Sequence, residues 1–272
     1  MQSKHFRIIL IGDVIGKYGR RLLGKVLPLL RIQYSPHIVI ANGENSAGGL
    51  GIIPRTAYEI FDSGVDIITT GNHVWDKKEA LQLLKEEKRI LRPINFPPTA
   101  PGSGYYVFEA EREVKVLVVN LQGRVFMDPV VDNPFLAMDA LLEQRKEKII
   151  IVDFHAEATA EKQAMGFYLD GRVSAVLGTH THVQTTDLRI LHAGTAYQSD
   201  VGMTGALDSV IGMKQDAIIR KFTTGVNQRF EVCKKNMILD FSIIDVDVRS
   251  GNAVRVELLR LYEDTYEEQL RF

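Results

Sequence analysis

The chain has 272 residues, a length within the range of a single large α/β domain, and its 45% hydrophobic and 25% charged content with a net charge of −1 is that of an ordinary soluble protein. Lys and Arg are spread along the chain, which excludes the basic footprint needed to hold duplex nucleic acid or an anionic membrane. The single cysteine, Cys233, excludes an intramolecular disulfide and a thiolate metal cluster.

The opening MQSKHFRIILIGD has an apolar run too short for a signal-peptide core or a membrane span, so a cytoplasmic protein is expected. Residues 7–12 read as a buried strand ending at Asp13, and Leu22, Leu23, Val26, Leu27 and Leu30 follow at helical spacing. This is the start of a βαβ unit. HIVIANGEN at 37–45 is a second strand, and Pro54 opens a helix through Tyr58, Ile60 and Phe61. DIITTGNH at 66–73 is a third strand, followed by a helix through Ala80, Leu81, Leu83 and Leu84. The proline-rich segment 92–104 reads as a surface loop, either bordering a site or acting as a rigid connector.

Segments 105–110 and 115–123 form a hairpin around the charged turn 111–113. A helix over 134–145, a strand over 148–155 ending at His155, and a helix from 158 to 169 come next. The apolar run Ala175, Val176, Leu177 then ends in GTHTH, 178–182. Short strands at 188–191 and 195–198, a polar helix near 214–222, and a hairpin of 237–248 with 253–262 complete the chain. Segment 201–235 is least explained by a layered α/β domain and is expected as a small cap.

The strand ends carry Asp13, Glu44 and Asn45, Asn72 and His73, His155, and His180 and His182. Ligands bind beyond the carboxyl ends of strands in open α/β sheets, so five segments are able to converge in one crevice. Each residue also has a structural alternative. Asp13 suits a helix cap, Glu44 and Asn45 suit turns, Asn72 suits a left-handed turn, and His155 suits a satisfied core histidine. Together they supply oxygen and imidazole donors in excess of one tetrahedral zinc and in keeping with two ions sharing a carboxylate. Two such ions stabilise in-line displacement at phosphorus. Sulfur-free donors of this kind suit iron, manganese, cobalt or zinc.

GD at 12–13, GEN at 43–45, GNH at 71–73, His155 and GTHTH at 178–182 resemble, in order and context, the calcineurin-like metallophosphoesterases. The superfamily's usual Asp-x-His start is broken by Ile15, and GEN replaces its GDxxD. With NGENSAGGLGI, TTGNHVWD, GTHTHVQT and SDVGMTG, the whole chain resembles the YmdB family of bacterial cyclic-nucleotide phosphodiesterases. The resemblance implies an α/β fold, a four-layer α/β/β/α sandwich over 1–272 with a small cap within 201–235. It implies a di-iron centre, manganese or zinc being the other metals that suit it. The implied reaction is hydrolysis of 2',3'-cyclic nucleotides to 3'-nucleotides by a metal-bridging hydroxide.

By motif, Asp13, Glu44, Asn45 and His182 would hold one metal, and Glu44, Asn72, His155 and His180 the other, with Glu44 bridging. His73 would be the proton donor, a role suited to an imidazole that titrates near neutrality. The expected partner is a small cyclic nucleotide or phosphoester, with no membrane and no duplex nucleic acid, bound by a homo-oligomer. The alternatives are a broad phosphomonoesterase or nucleotidase on the same dimetal core, and a metal-dependent nucleotide-binding regulator without turnover. Ser46, Gly48 and Gly49 fit a flexible turn better than a phosphate cradle. Asn120 and Gln122 are candidates to support the ligands, Trp75 reads as packing, and His5, His37 and His192 as structural.

Overall fold

The computed structural model describes residues 5–110 and 114–270. The charged turn expected at 111–113 lies outside the described residues. Two sheets form the frame. The first has the order β2 (Asp13–Val14), β12 (Met203–Ala206), β13 (Met237–Asp247), β1 (His5–Ile11), β3 (Ile38–Asn42), β4 (Ile67–Thr69), β5 (Ile90–Leu91), with β14 (Ala253–Tyr262) also paired to β13. The second runs β10 (Arg189–Ile190), β11 (Ala196–Gln198), β9 (Ala175–Thr179), β8 (Ile149–His155), β7 (Lys115–Gln122), β6 (Tyr105–Glu109). β1, β3, β4 and β5 are mutually parallel, as are β7, β8, β9 and β11. Their carboxyl ends therefore carry the polar residues that terminate each apolar run.

Alternation along the strands divides the core. Ile8, Leu10, Ile38, Ile40 and Ile67 of the first sheet pack with Val116, Val118, Ile149, Ile151, Ala175 and Leu177 of the second. Ile9, Ile11, Val39, Ala41 and Ile68 point the other way, onto Leu22, Leu23, Val26, Leu27 and Leu30 of α1 (Gly16–Tyr34) and Ala57 and Ile60 of α2 (Pro54–Asp62). Leu117, Val119, Ile150, Val152 and Val176 likewise meet Met138 and Leu141 of α4 (Pro134–Leu142) and Met165 of α5 (Thr159–Tyr168). Strands covered on both faces need apolar residues at every position, which explains their continuous rather than alternating sequence pattern. α3 (Ala80–Glu86) follows β4, and the short α7 (Tyr266–Gln269) ends the described chain.

Local chemistry sets several boundaries. α4 starts where the Asn133 side chain accepts from the Phe135 N–H, with Pro134 as first helical residue, and it stops at Leu142, short of the expected 145. Segment 92–104 is the rigid connector between the sheets. Arg92 is buried and donates to the carbonyls of Pro93, Ala100 and Pro101, while the Ile94 N–H donates to Asn120 O. Within 201–235, Met203–Ala206 is a strand of the first sheet, paired with β2 and β13. A cap in this segment is therefore confined to the residues after 206, which include α6 (Gln215–Thr224). Among the described residues no helix is long and apolar enough to cross a membrane.

Candidate metal centre

Asp13, Glu44, Asn45, Asn72 and His73 leave the carboxyl ends of first-sheet strands, and His155, His180 and His182 leave those of the second. All eight meet where the two sheets end together, and they fall into two groups of donors with His73 beside them.

The first group is Asp13, Asn45 and His182. Asp13 is not a helix cap: α1 has Ile15 at its N-cap position, and Asp13 sits in β2, fully buried. Its Oδ2 accepts the His180 backbone N–H at 3.2 Å, and its Oδ1 accepts Asn45 Nδ2 at 3.3 Å and lies 3.5 Å from His182 Nε2. Asn45 Nδ2 is also 3.1 Å from His182 Nε2. His182 Nδ1 is 2.8 Å from the Ile211 carbonyl, which only accepts, so Nδ1 carries the proton and Nε2 turns to the site. Burial pushes the Asp13 carboxyl up, but His182 outweighs this and holds it far below the usual carboxylate range. Burial pushes His182 down, yet Asp13 carries it up to about 9.

The second group is Glu44, Asn72, His155 and His180. His155 Nε2 has Glu44 Oε1 at 3.0 Å, Asn72 Oδ1 at 3.1 Å and His180 Nδ1 at 3.0 Å. Donor atoms of Glu44, His155 and His180 all lie within 4.8 Å of one another. Glu44 Oε2 accepts the His73 N–H at 3.1 Å, whereas its buried Oε1 has no hydrogen-bond partner among the described residues. An orphaned carboxylate oxygen facing two imidazoles and an amide oxygen is costly by itself, and a cation satisfies all four atoms at once. The donor set, oxygen and nitrogen without sulfur, therefore fits a metal of the iron, manganese or zinc kind.

His180 Nε2 lies 3.3 Å from Glu157 Oε2, so a neutral ring keeps its proton there and turns a bare Nδ1 to His155. Burial, then His155, pushes His180 down to about 2. Burial lowers His155 as well, but the neighbouring Glu44 carboxylate carries it above its ordinary value. The two histidines of GTHTH thus go to different groups, His180 to the second and His182 to the first. Both sit at positive φ, 104° and 62°. Buried Lys162 holds the turn by donating to Thr179 O and to Asp200, whose Oδ2 also accepts the Thr181 N–H at 3.0 Å.

His73 differs from both groups. Its side chain is 32% exposed, and its Nδ1 lies 2.8 Å from Asp76 Oδ2.

Several supporting residues escaped the sequence reading. Asn42, Asp153 and Thr179 stand behind the His155 ring, while Glu157, Asp76 and the Ile211 carbonyl each address one imidazole. Asp153 had one sequence signal, as a charge inside the otherwise apolar IIIVDFH. Asn42, Thr179 and Asp76 lay within the motifs NGENSAGGLGI, GTHTH and TTGNHVWD without being singled out, while Glu157 and the Ile211 carbonyl had no signal. Asn120 clamps the Thr70 backbone through both amide atoms, steadying the approach to Asn72, whereas the Gln122 amide nitrogen turns to Pro129 O. Trp75 packs edge-on against Phe96. Gly49 sits at φ 101°, a conformation that side chains rarely adopt, so glycine is required there by the backbone turn.

A protein of Bacillus subtilis (strain 168) named 2',3'-cyclic-nucleotide 2'-phosphodiesterase is 45% identical over 260 residues, covering 95% of this chain and 98% of its own. The solved structure of a novel phosphatase from Mycoplasma pneumoniae superposes with a TM-score of 0.92 at 36% identity, covering 99% of this chain and 98% of its own. A hypothetical protein from Thermus thermophilus superposes with a TM-score of 0.89 at 43% identity, covering 95% of this chain and all of its own. The family model described as YmdB-like protein matches residues 9–259, and with these whole-length likenesses the chain belongs to the YmdB-like family.

Proposed function

We propose that this chain is a dimetal phosphodiesterase that hydrolyses 2',3'-cyclic nucleotides, such as 2',3'-cyclic AMP, to 3'-nucleotides. The observation that carries the reading is the orphaned Glu44 Oε1 among the bare donors of His155, Asn72 and His180, with the partly exposed His73 at its side. The whole-length likeness to a protein named for this activity supports the substrate class. The fold that goes with it is the four-layer α/β/β/α sandwich of calcineurin-like metallophosphoesterases, a single domain with residues after 206 as its cap.

Asp13, Glu44, Asn45 and His182 would hold one ion, and Glu44, Asn72, His155 and His180 the other, iron being the metal we favour. Two ions there would supply Lewis acidity able to activate a water and to neutralise charge on the phosphoryl oxygens. The residues do the rest. Asp76 accepts the Nδ1–H of His73 and aligns the ring, so that the doubly protonated imidazolium presents its Nε2–H to the leaving oxygen and regains a proton from the attacking water. As the water oxygen bonds to phosphorus, the bond to the ribose 2'-oxygen breaks, and His73 protonates that departing oxygen.

The test is a panel of 2',3'-cyclic AMP, 3',5'-cyclic AMP and an aryl phosphomonoester, run on protein of measured metal content. Preference for the first is expected. Preference for the aryl phosphomonoester, or binding of cyclic nucleotide without turnover at full metal loading, would overturn it.

A further inference from the structure

His155 is fully buried, and the tautomer that bares its Nε2 to Glu44, Asn72 and His180 is set by the groups on the other side of the ring. Asp153, on the same strand, is fully buried in the crease between the sheets. Its Oδ1 accepts Thr179 Oγ1–H at 2.6 Å, and its Oδ2 accepts the Thr69 hydroxyl and Asn42 Nδ2, the latter at 3.4 Å. Burial pushes its carboxyl up to about 6, and above that pH the three donors meet an ionised carboxylate that only accepts.

Proton counting then propagates outward. A threonine hydroxyl has one proton, and Thr179 gives it to Asp153. The same oxygen, 2.9 Å from His155 Nδ1, can only accept there, so Nδ1 must carry hydrogen. Asn42 Nδ2 lies 3.3 Å from the same nitrogen and 3.4 Å from both Thr179 Oγ1 and Asp153 Oδ2; with Nδ1 protonated and Thr179 accepting from it, the two amide hydrogens go to Thr70 O at 3.2 Å and to the Asp153 carboxylate, while the Asn42 oxygen accepts the Glu44 N–H. A neutral His155 is left with a bare Nε2, the atom that meets Glu44, Asn72 and His180.

We infer that Thr179 and Asp153 are positioning residues: a buried carboxylate–hydroxyl–imidazole relay that locks His155 in the tautomer with a bare Nε2. The relay also joins the sheets at this point, because Thr69 and Asn42 belong to the first and Asp153, His155 and Thr179 to the second. Its consequence for metal binding rests on the proposed function, but the tautomer itself does not. A ligating imidazole whose second nitrogen is held in this way is oriented before any ion arrives.

The decisive experiment compares Thr179→Val, which keeps shape and removes the hydroxyl, with Thr179→Ser, which keeps the hydroxyl. Ring ¹⁵N spectra of the metal-free protein, recorded at a pH where the imidazole is neutral, read the His155 tautomer. Zinc titration reads the affinity of its site. Wild type and Thr179→Ser are expected to show the Nδ1–H tautomer with zinc affinity preserved. Thr179→Val is expected to show a mixed or inverted tautomer and zinc bound about 10–100-fold more weakly at one of the two sites. Should Thr179→Val not fold, Thr179→Ala carries the same expectation.

An unchanged tautomer and unchanged zinc affinity in the valine or alanine variant would overturn the relay. Loss of affinity in Thr179→Ser equal to that in Thr179→Val would overturn it too, reducing Thr179 to a packing role. A tautomer change in Thr179→Val, with no zinc bound by any form, would uphold the relay and sink the dimetal reading instead.

Discussion

Around Asp13 the protein supplies its own counter-groups: Asn45 and the His180 N–H reach the carboxylate, and His182 stands beside it with its far nitrogen held by Ile211. Around His155 it does not, and Glu44 Oε1 is left facing other lone pairs. The first group resembles a buried ion pair that is complete with a proton; in the second a proton drawn to His155 by Glu44 would still leave the Asn72 oxygen and the bare His180 nitrogen facing inward, and only a cation completes it. Removing a cation should therefore cost the two groups differently. A chelator is expected to empty the Asp13 group first, because a proton on His182 replaces the ion there.

The comparison is most severely tested by Glu44→Gln. If Glu44 serves both groups, this variant should lose both ions and at least about 10²–10³-fold in turnover, measured by elemental analysis alongside the assay. Loss of one ion alone would confine Glu44 to the His155 group.

His73→Ala should lower turnover by about 10²–10⁴-fold while both groups stay loaded, since among the described residues its ring pairs with Asp76 and its backbone N–H, kept in the variant, reaches Glu44. A fall in metal content would make His73 a structural element instead.

Gly71→Ala should injure the His155 group alone. A Cβ there would lie 2.1 Å from His155 Cδ2, so the ring must move. The expected result is one ion lost and a stability cost of about 1–3 kcal/mol in thermal unfolding. An intact ion count would show that the cage tolerates a displaced imidazole.

pH should separate the groups more gently. In the metal-free protein His182 is raised to about 9, so its pairing with Asp13 stabilises the fold fully below the ordinary imidazole value of about 6.5. That contribution fades as pH rises through about 9. A metal entering the Asp13 group must expel the same proton, so its affinity should climb with pH across this window, with proton release detectable in weak buffer. His180, lowered to about 2, has no proton to expel from its site-facing nitrogen near neutrality. Flat affinity at the Asp13 group between pH 6 and 9 would count against this picture.

The smallest effect is expected of Glu157→Gln, which weakens the hold on His180 Nε2 at the half-exposed edge of the cage. Affinity of the His155 group should fall about tenfold and that of the Asp13 group should not change.

The sequence alone determined most of the order of strands and helices, though not Met203–Ala206, and placed candidate donors at the strand ends. Both follow from local rules: apolar runs bounded by glycine and polar residues make buried strands, and a strand's last residues stand at its carboxyl end whatever its neighbours are. Local rules did not say that these strands form two sheets; the family resemblance implied it, and the tertiary structure shows it. Strands apolar on both faces carry no mark of which face meets which neighbour, and neither does the sequence say that Met203–Ala206 belongs beside Asp13. Tertiary contact likewise sent His180 and His182, one residue apart, to different groups, because each ring turns to whatever holds its other nitrogen: Glu157 for one and the Ile211 carbonyl for the other. The proton placement on His155 follows the same logic, since a hydroxyl's single hydrogen is committed by partners that adjacent residues do not reveal.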